Sequence, residues 1–285
     1  MIQTLTYNPN EKVLCEIKAI ETTRDLLQKK IEDSPILEDY CRPFLASAGG
    51  QEFLDKIGNA SSMKILDIGF GRGETSLYFA SKGHEVYALE PSPLNCEILQ
   101  KASKKFGQTI HVYQGTAEHF DQIPVKDFDL CLFNSSLHHC DDPVRVLQVC
   151  KNKLKKGGSV LAINEPILKF YRSKKWFYKK METDPIGLGH YGGNEHIYYY
   201  QEYLNLFKSA GFHSVEGLPH VRNRQPRLVM EEDVQKKCGG QYVLSDLKLL
   251  IKFSILLILK QVGSKPIFAL GKKLSLFPFS FRATS

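Results

Sequence analysis

The sequence predicts an α/β protein with a doubly wound, mostly parallel sheet and helices on both faces. Short apolar runs alternate with helical patterns over residues 60–164, which is the order of elements that builds such a sheet. A glycine-rich turn follows the first apolar run, and the second run ends in an acidic residue. Apolar residues before residue 58 and after residue 244 add an N-terminal helical cap and a helical C-terminal extension.

The N-terminal cap is predicted from helical spacing. Val13, Ile17, Ile20 and Leu27 recur at intervals that place them on one helix face, and a second short helix is expected over residues 36–46. The chain then enters the predicted sheet at Met63.

The glycine-rich turn is the most informative segment. Residues 63–67 predict a buried parallel strand, and Gly69, Gly71 and Gly73 follow it before an apolar helix begins near Glu74. A side chain in this turn would hold the backbone away from a ligand, and the first N–H groups of the helix would point at that ligand. The segment therefore predicts a ligand-binding turn at the end of a strand.

The next strand, residues 83–90, ends in Glu90, 17 positions after Gly73. A carboxylate at this place can accept both hydroxyls of a ribose. The glycines are spaced G-x-G-x-G with Asp67 just before them, and a carboxylate there would repel the phosphates of a dinucleotide. This pattern favours a nucleoside that carries an amino acid and a sulfonium over NAD.

Three further motifs follow in order: residues 109–118, residues 127–139, and a helix opened by Asp142 and Pro143 that leads into a strand over residues 159–164. Together with the glycine turn they resemble the class I S-adenosylmethionine-dependent methyltransferases of the small-molecule type, whose sheet is Rossmann-like. The resemblance covers about residues 60–165 and implies S-adenosyl-L-methionine as cofactor. It implies these cofactor-binding residues: Asp67, Gly69, Gly71, Gly73, Glu90, Thr116, Ala117, Glu118 and Asn134.

The sequence departs from the family in two places. Thr116 stands where the third motif often carries an acid, so Thr116, Glu118 or backbone would hold the adenine amino group. The family's last antiparallel hairpin is recognisable only in its first strand, residues 213–218. The expected division is a cap (1–58), a methyltransferase domain (59–218) with a lid insertion (165–200), and a basic apolar extension (219–285). The resemblance implies that the cap covers the cofactor or shapes the acceptor pocket; the alternative is a helical cap that fills the edge of the core.

Methyl transfer to a hydroxyl or carbon needs a general base as well as alignment of the reacting atoms, and histidine suits that task near neutral pH. His139 follows the fourth strand, and His190 and His196 lie in a glycine-rich polar loop within the insertion. These three are the candidate catalytic residues. A role in ordering a loop or capping a helix is the alternative for each.

Candidate acceptor-binding residues come from the same insertion and from the end of the fifth strand: Glu165, Tyr191, Asn194 and Glu195. The insertion also interleaves basic and aromatic residues over 169–180. That mixture can hold an acidic or sugar-like substrate, stack on a base, or rest on a membrane, or it can be a solvated lid helix with one apolar face.

Composition limits the other function classes. The net charge is +7, and residues 219–285 hold 12 Lys or Arg against four acids, so the basic excess belongs to the tail. Seven cysteines without a C-x-x-C pair favour reduced thiols in the cytoplasm and no metal site. The sequence shows no signal peptide. The apolar tail from Leu244 is interrupted by lysines, which favours either peripheral membrane or partner contact or packing on the body.

The sequence thus predicts a methyltransferase that acts on a small-molecule acceptor. The methyl group is expected to go to an oxygen of a sugar, lipid-linked or natural-product substrate. A nucleic-acid methyltransferase is the second interpretation, and residues 134–137 lack the D/N-P-P-Y/F signature of base N-methylation. A non-catalytic scaffold that binds S-adenosylmethionine is the third. The sequence carries no signal for an oligomeric state.

Overall fold

The computed structural model describes residues 2–47, 57, 60–168, 171–183, 194–219 and 279–284. Its centre is an eight-stranded sheet in the order β1-β4-β3-β2-β5-β6-β8-β7. The strands are β1 (Ile2–Thr4), β2 (Lys64–Ile68), β3 (Glu85–Glu90), β4 (Ile110–Gln114), β5 (Phe128–Asn134), β6 (Leu154–Ile163), β7 (Ser214–Pro219) and β8 (Phe279–Thr284). Strands β1 to β6 pair in parallel, and β8 pairs antiparallel with both β6 and β7.

Helices cover the sheet as the alternating pattern predicts. They are α1 (Glu11–Glu21), α2 (Arg24–Asp33), α3 (Leu37–Ser47), α4 (Glu74–Ser81), α5 (Pro93–Lys105), α6 (Pro143–Lys153), α7 (Lys174–Thr183) and α8 (Tyr200–Ser209), with 3-10 turns at Ala117–Gln122 and Leu137–His139. Side chains of Asn10, Ser92 and Asp142 accept hydrogen bonds from backbone N–H groups in the first turns of α1, α5 and α6. These caps explain why each helix begins where it does.

The strand order places the site. From β2 the chain moves outward through β3 and β4, and then returns to lay β5 on the other side of β2. In sheets of this kind ligands bind at the carboxyl ends of the strands, at the point where the order reverses. That point lies between β2 and β5, where the glycine turn and the loop after Asn134 meet.

The predicted fold class is confirmed, and two details differ from the sequence prediction. Ile2–Thr4 forms an edge strand beside β4, although this stretch falls within the predicted helical cap. The second strand of the final hairpin is Phe279–Thr284, about sixty residues after the first. The predicted extension therefore contributes a strand to the sheet. Its predicted apolar helix from Leu244 lies outside the described residues, and the division into domains stays a prediction.

Phe281 shows why the last strand belongs to the core. Its side chain is fully buried and stacks on Tyr203 of α8 with 4.8 Å between ring centroids. Within the described part of the chain, no helix combines the length and apolar character needed to cross a membrane. Six cysteines fall in that part, and all six are free thiols.

Part of the basic and aromatic run is also described. The helix α7 carries residues 174–180 of this run, and its Trp176 and Tyr178 are exposed. The guanidinium of Arg172 lies 4.0 Å from the centroid of the Trp176 ring, in a cation–π contact. The cation and the ring thus contact each other within the protein.

Candidate active site

A cavity of about 860 Å³ opens at the carboxyl ends of the central strands. Its wall combines the glycine turn, the ends of β3 to β6, the loop at residues 134–140, helices α1 and α2, and residues 194–195. Six glutamates, one arginine and two histidines are the acidic and basic side chains among its described lining: Glu16, Glu74, Glu90, Glu118, Glu165, Glu195, Arg72, His138 and His139. Such a wall favours a cationic ligand over a phosphorylated one.

The three glycines of the turn have different roles. Gly71 has a φ of +55°, and a Cβ there would meet nothing within 4 Å, so this glycine borders the open cavity. A Cβ on Gly69 would lie 2.6 Å from the Cβ of Ser136, and one on Gly73 would lie 2.5 Å from Cδ1 of Leu99. Only Gly71 leaves room for a ligand, and the other two permit close packing within the protein.

Glu90 lies at the cavity wall with 5% of its surface exposed. Its Oε1 accepts from the Ser92 N–H (3.2 Å) and the Asn95 amide (3.2 Å), and its Oε2 accepts from the Gly71 N–H (3.1 Å). Burial, together with the nearby charge of Glu16, raises the pKa of Glu90 to about 7. Since a carboxylate has about four accepting positions, one remains on Oε2. In this arrangement Glu90 can accept one ribose hydroxyl, whereas the sequence suggested two.

Asp67 does not line the cavity. Its side chain is fully buried, its Oδ2 accepts from the Ser76 hydroxyl at 2.6 Å, and its Oδ1 has no hydrogen-bond partner. Burial raises the pKa of Asp67 to about 7. A direct contact between Asp67 and a cationic ligand stays a prediction.

The remaining predicted cofactor residues meet at the cavity wall. Thr116, Ala117 and Glu118 follow β4, and Asn134 ends β5. The Thr116 hydroxyl lies 2.8 Å from Nδ1 of His119, and the Asn134 amide donates to the Thr75 hydroxyl at 2.9 Å. The structure therefore brings together every predicted cofactor residue except Asp67 and Gly73, neither of which lines the cavity, and the role of all of them in binding stays a prediction.

Glu165 organises the loop after β5. Its carboxylate accepts from three consecutive backbone N–H groups, those of Ser136 (3.1 Å), Leu137 (3.0 Å) and His138 (3.2 Å). It also accepts from the Tyr203 hydroxyl (3.2 Å) and contacts Nδ1 of His138 (2.8 Å). Its side chain is completely buried. These contacts favour a role in holding the loop over the direct acceptor contact that the sequence suggested.

His138 lies between two carboxylates. Its Nδ1 is 2.8 Å from Glu165, and its Nε2 is 3.1 Å from Oε2 of Glu195. Burial of the ring opposes protonation, but the two carboxylates outweigh it and raise the pKa of His138 to about 9. Burial opposes ionisation of Glu195 as well, and its hydrogen bond to His138 holds the pKa of this carboxyl below the usual value. The two carboxylates thus favour the protonated form of the His138 ring.

His139 is the predicted base that faces the cavity. Its Nδ1 lies 2.9 Å from the backbone carbonyl of Asn194, which can only accept, so Nδ1 carries the hydrogen. In the neutral ring Nε2 therefore holds a lone pair, and this atom is 3.7 Å from Oε1 of Glu195. The Asn194 amide in turn donates to the His139 carbonyl at 3.2 Å. Asn194 and Glu195 thus lie beside His139 at the wall.

The other candidates are placed less favourably or lie outside the described part. His196 does not line the cavity, and its buried Nε2 has no hydrogen-bond partner and stands 3.9 Å from Asp141. Burial lowers the pKa of His196. His190 and Tyr191 lie outside the described residues.

Glu16 is a cavity residue that the sequence analysis missed. It lies on α1, where Val13 and Ile20 also line the cavity, so the cap borders the site. The Asn194 amide donates to Glu16 at 3.4 Å. A signal existed, because Glu16 is spaced three residues from Val13 and four from Ile20, which puts a carboxylate within the apolar stripe of the helix.

Comparison with known proteins supports the resemblance. Residues 66–162 match the family described as "Methyltransferase domain". A ubiquinone biosynthesis O-methyltransferase of Pseudomonas syringae pv. tomato is 28% identical over 108 residues, which is 38% of this chain and 47% of that protein. A malonyl-[acyl-carrier protein] O-methyltransferase of Hamiltonella defensa is 32% identical over 114 residues, 39% of this chain and 42% of that protein. The chain thus spans less than half the length of either relative.

Two solved structures share the fold. The [4+2]-cyclase SpnF superposes with a TM-score of 0.56 and 14% identity, over 99% of this chain and 98% of the cyclase. Phosphoethanolamine N-methyltransferase 2 of Haemonchus contortus, solved with S-adenosyl-L-methionine, has a TM-score of 0.52 and 15% identity, over 82% of this chain and 51% of that protein. The two names denote different chemistries, so the fold alone does not define the reaction.

Proposed function

We propose that this chain, which belongs through residues 66–162 to the class I S-adenosylmethionine-dependent methyltransferases, transfers a methyl group to an oxygen of a small-molecule acceptor. The observation that carries the proposal is the single cavity that runs from Gly71 and Glu90 to His139. It joins a place for the donor to a histidine with a lone pair.

The residues present fit the donor. Gly71 leaves open space at the turn, and Oε2 of Glu90 retains one accepting position for a ribose hydroxyl. The acidic wall suits the positive charge of the sulfonium. When bound, S-adenosylmethionine supplies an electrophilic methyl group, so the protein needs to align the acceptor, exclude water and remove one proton.

His139 is the proposed proton acceptor. The Asn194 carbonyl fixes the hydrogen on Nδ1 and leaves Nε2 to take the proton of an acceptor hydroxyl. Asn194, Glu195 and Glu16 are the polar groups proposed to orient that acceptor. The two relatives from Pseudomonas syringae and Hamiltonella defensa are both named O-methyltransferases, which supports oxygen as the acceptor atom. A sugar, lipid-linked or natural-product hydroxyl is the proposed acceptor class, and peripheral membrane contact and a cytoplasmic location stay proposals.

Calorimetric titration of the full chain with S-adenosylmethionine tests donor binding. Gly71→Arg fills the open space at the turn and should abolish binding. Gly107→Arg is the matched control, because Gly107 also has positive φ (+65°) and open space around its Cβ but does not line the cavity. Equal affinity in both variants, or no binding by the unchanged chain, would overturn the donor assignment.

Transfer is tested with labelled donor and a panel of phenolic, carboxylic, sugar and amine acceptors, with the product identified by mass spectrometry and NMR. His139→Gln should lower kcat by about 10²- to 10⁴-fold, the usual contribution of a general base, while donor affinity is kept. His213→Gln, at an exposed histidine, is the control. Methylation of amines alone would refute the oxygen assignment.

A further inference from the structure

We propose that His138, His139 and Glu195 form a binding site for a divalent first-row transition metal ion such as Zn²⁺. One ligand atom from each residue lies within 4.8 Å of the others. Two histidines and one carboxylate are the protein ligands of many catalytic zinc and non-haem iron sites, which leave coordination positions open. Here those open positions would face the cavity, because all three residues line it.

In His138 and His139, the ring nitrogen that would not bind the ion already has a hydrogen-bond acceptor. Histidines that bind metals usually donate their other ring N–H to a carboxylate or a backbone carbonyl, which fixes the tautomer and the ring orientation. His138 directs Nδ1 at the Glu165 carboxylate (2.8 Å), and His139 directs Nδ1 at the Asn194 carbonyl (2.9 Å). In both rings Nε2 is therefore the nitrogen on the side of Glu195, where it can bind the ion.

The spacing of the ligand atoms also fits. Oε2 of Glu195 lies 3.1 Å from Nε2 of His138, and Oε1 lies 3.7 Å from Nε2 of His139. With metal–ligand bonds of about 2.0–2.2 Å, ligands at octahedral or tetrahedral angles lie roughly 3.0–3.5 Å apart. The two contacts of Glu195 are therefore at or near that range, and all three ligand atoms lie within 4.8 Å of one another.

The surrounding charge favours a cation. Glu165 is buried behind His138, and a Glu16 oxygen lies 3.9 Å from Nδ1 of His139. A divalent ion held by the two histidines and Glu195 would place two units of positive charge beside these carboxylates.

This site goes beyond the proposed methyl transfer, which needs no metal. A bound ion would occupy the lone pair on Nε2 of His139, so this atom could not also accept a proton, and the ion would instead lower the pKa of a neighbouring hydroxyl. Donor binding at Gly71 and Glu90 is expected both with and without the metal ion. Donor affinity measured in the same preparation therefore separates failure of the metal site from failure of the proposed function.

The test uses the full chain freed of metal by a chelator and then titrated with Zn²⁺ by calorimetry and with Co²⁺ by visible absorption. One Zn²⁺ should bind per chain, and the Co²⁺ spectrum should lack a thiolate charge-transfer band. His139→Gln and Glu195→Gln should each weaken Zn²⁺ more than the roughly 10- to 100-fold that loss of a ligand's hydrogen-bonding partner costs. His213→Gln and Glu216→Gln, at exposed positions, should keep the affinity.

Circular dichroism of each variant checks that it folds. The proposal is overturned if the unchanged chain binds no Zn²⁺, or if both ligand variants bind it as tightly as the unchanged chain.

Discussion

Replacing Glu165 by glutamine tests whether this residue holds the loop after β5. The carboxylate accepts from three backbone N–H groups and from Tyr203, and it is the buried partner of the His138 ring. Glutamine keeps one accepting oxygen, but its NH₂ group would face hydrogen-bond donors. It would also leave the His138 ring with a single counter-charge, on Glu195.

The expected loss is large. Removing one partner of a buried ion pair costs about 3–5 kcal/mol, because the remaining charge stays buried without full compensation. For a domain of 150–250 residues this corresponds to a fall in Tm of roughly 6–20 °C. Urea unfolding at pH 7, followed by circular dichroism, measures the free energy of unfolding of Glu165→Gln and of the unchanged chain.

The controls separate this effect from a change of surface charge. Glu216→Gln, at an exposed position, should change the free energy of unfolding by less than about 0.5 kcal/mol. In a double-mutant cycle, Glu165→Gln should cost much less in a His138→Gln background. A loss below about 1 kcal/mol for Glu165→Gln, together with a higher KM for the acceptor, would refute the loop role and favour a substrate contact.

Three further changes test other parts of the structure by urea unfolding. Gly73→Ala should cost about 1–3 kcal/mol, because its Cβ would meet Leu99 at 2.5 Å, and the loss in a Gly73→Ala/Leu99→Ala chain should be less than the sum of the single losses. Phe281→Ala should cost about 3–5 kcal/mol; a loss below 1 kcal/mol would mean that the last strand does not pack in the core. Burial raises the pKa of Asp67 from 3.8 to about 7, so the folded protein keeps a proton that the unfolded chain has released, and stability falls as pH rises through that window. Asp67→Asn cannot lose a proton, so its free energy of unfolding should rise relative to that of the unchanged chain as pH increases from 4 to 8, by at most about 4 kcal/mol. A difference that stays constant with pH would contradict the raised pKa of Asp67.

Local patterns predicted the central strands and helices because each part of the signal lies within a few residues. The spacing of the glycines from Gly69 to Gly73, the acid Glu90 at the end of a strand and the cap Asp142 before a helix can each be recognised from neighbouring residues alone. The carboxyl ends of parallel strands meet at one edge of a sheet, so even the convergence of Thr116 and Asn134 on one cavity was predictable.

The partners of the buried charges were not predictable in this way. No local pattern pairs His138 with Glu165 or Glu195, or Asn194 with Glu16, since these residues are 27, 57 and 178 positions apart. The final strand was missed for the same reason, because β8 is defined by pairing with β6 and β7 and not by a local turn.

The sequence by itself determined the sheet, the glycine turn and the acid beside it, because short-range sterics and periodicity encode them. Only the tertiary structure decided the roles of the glycines, the burial of Asp67 away from the cavity and the grouping of two histidines around Glu195. Burial, and with it the pKa and hydrogen-bonding capacity of a side chain, depends on which distant segments pack against it.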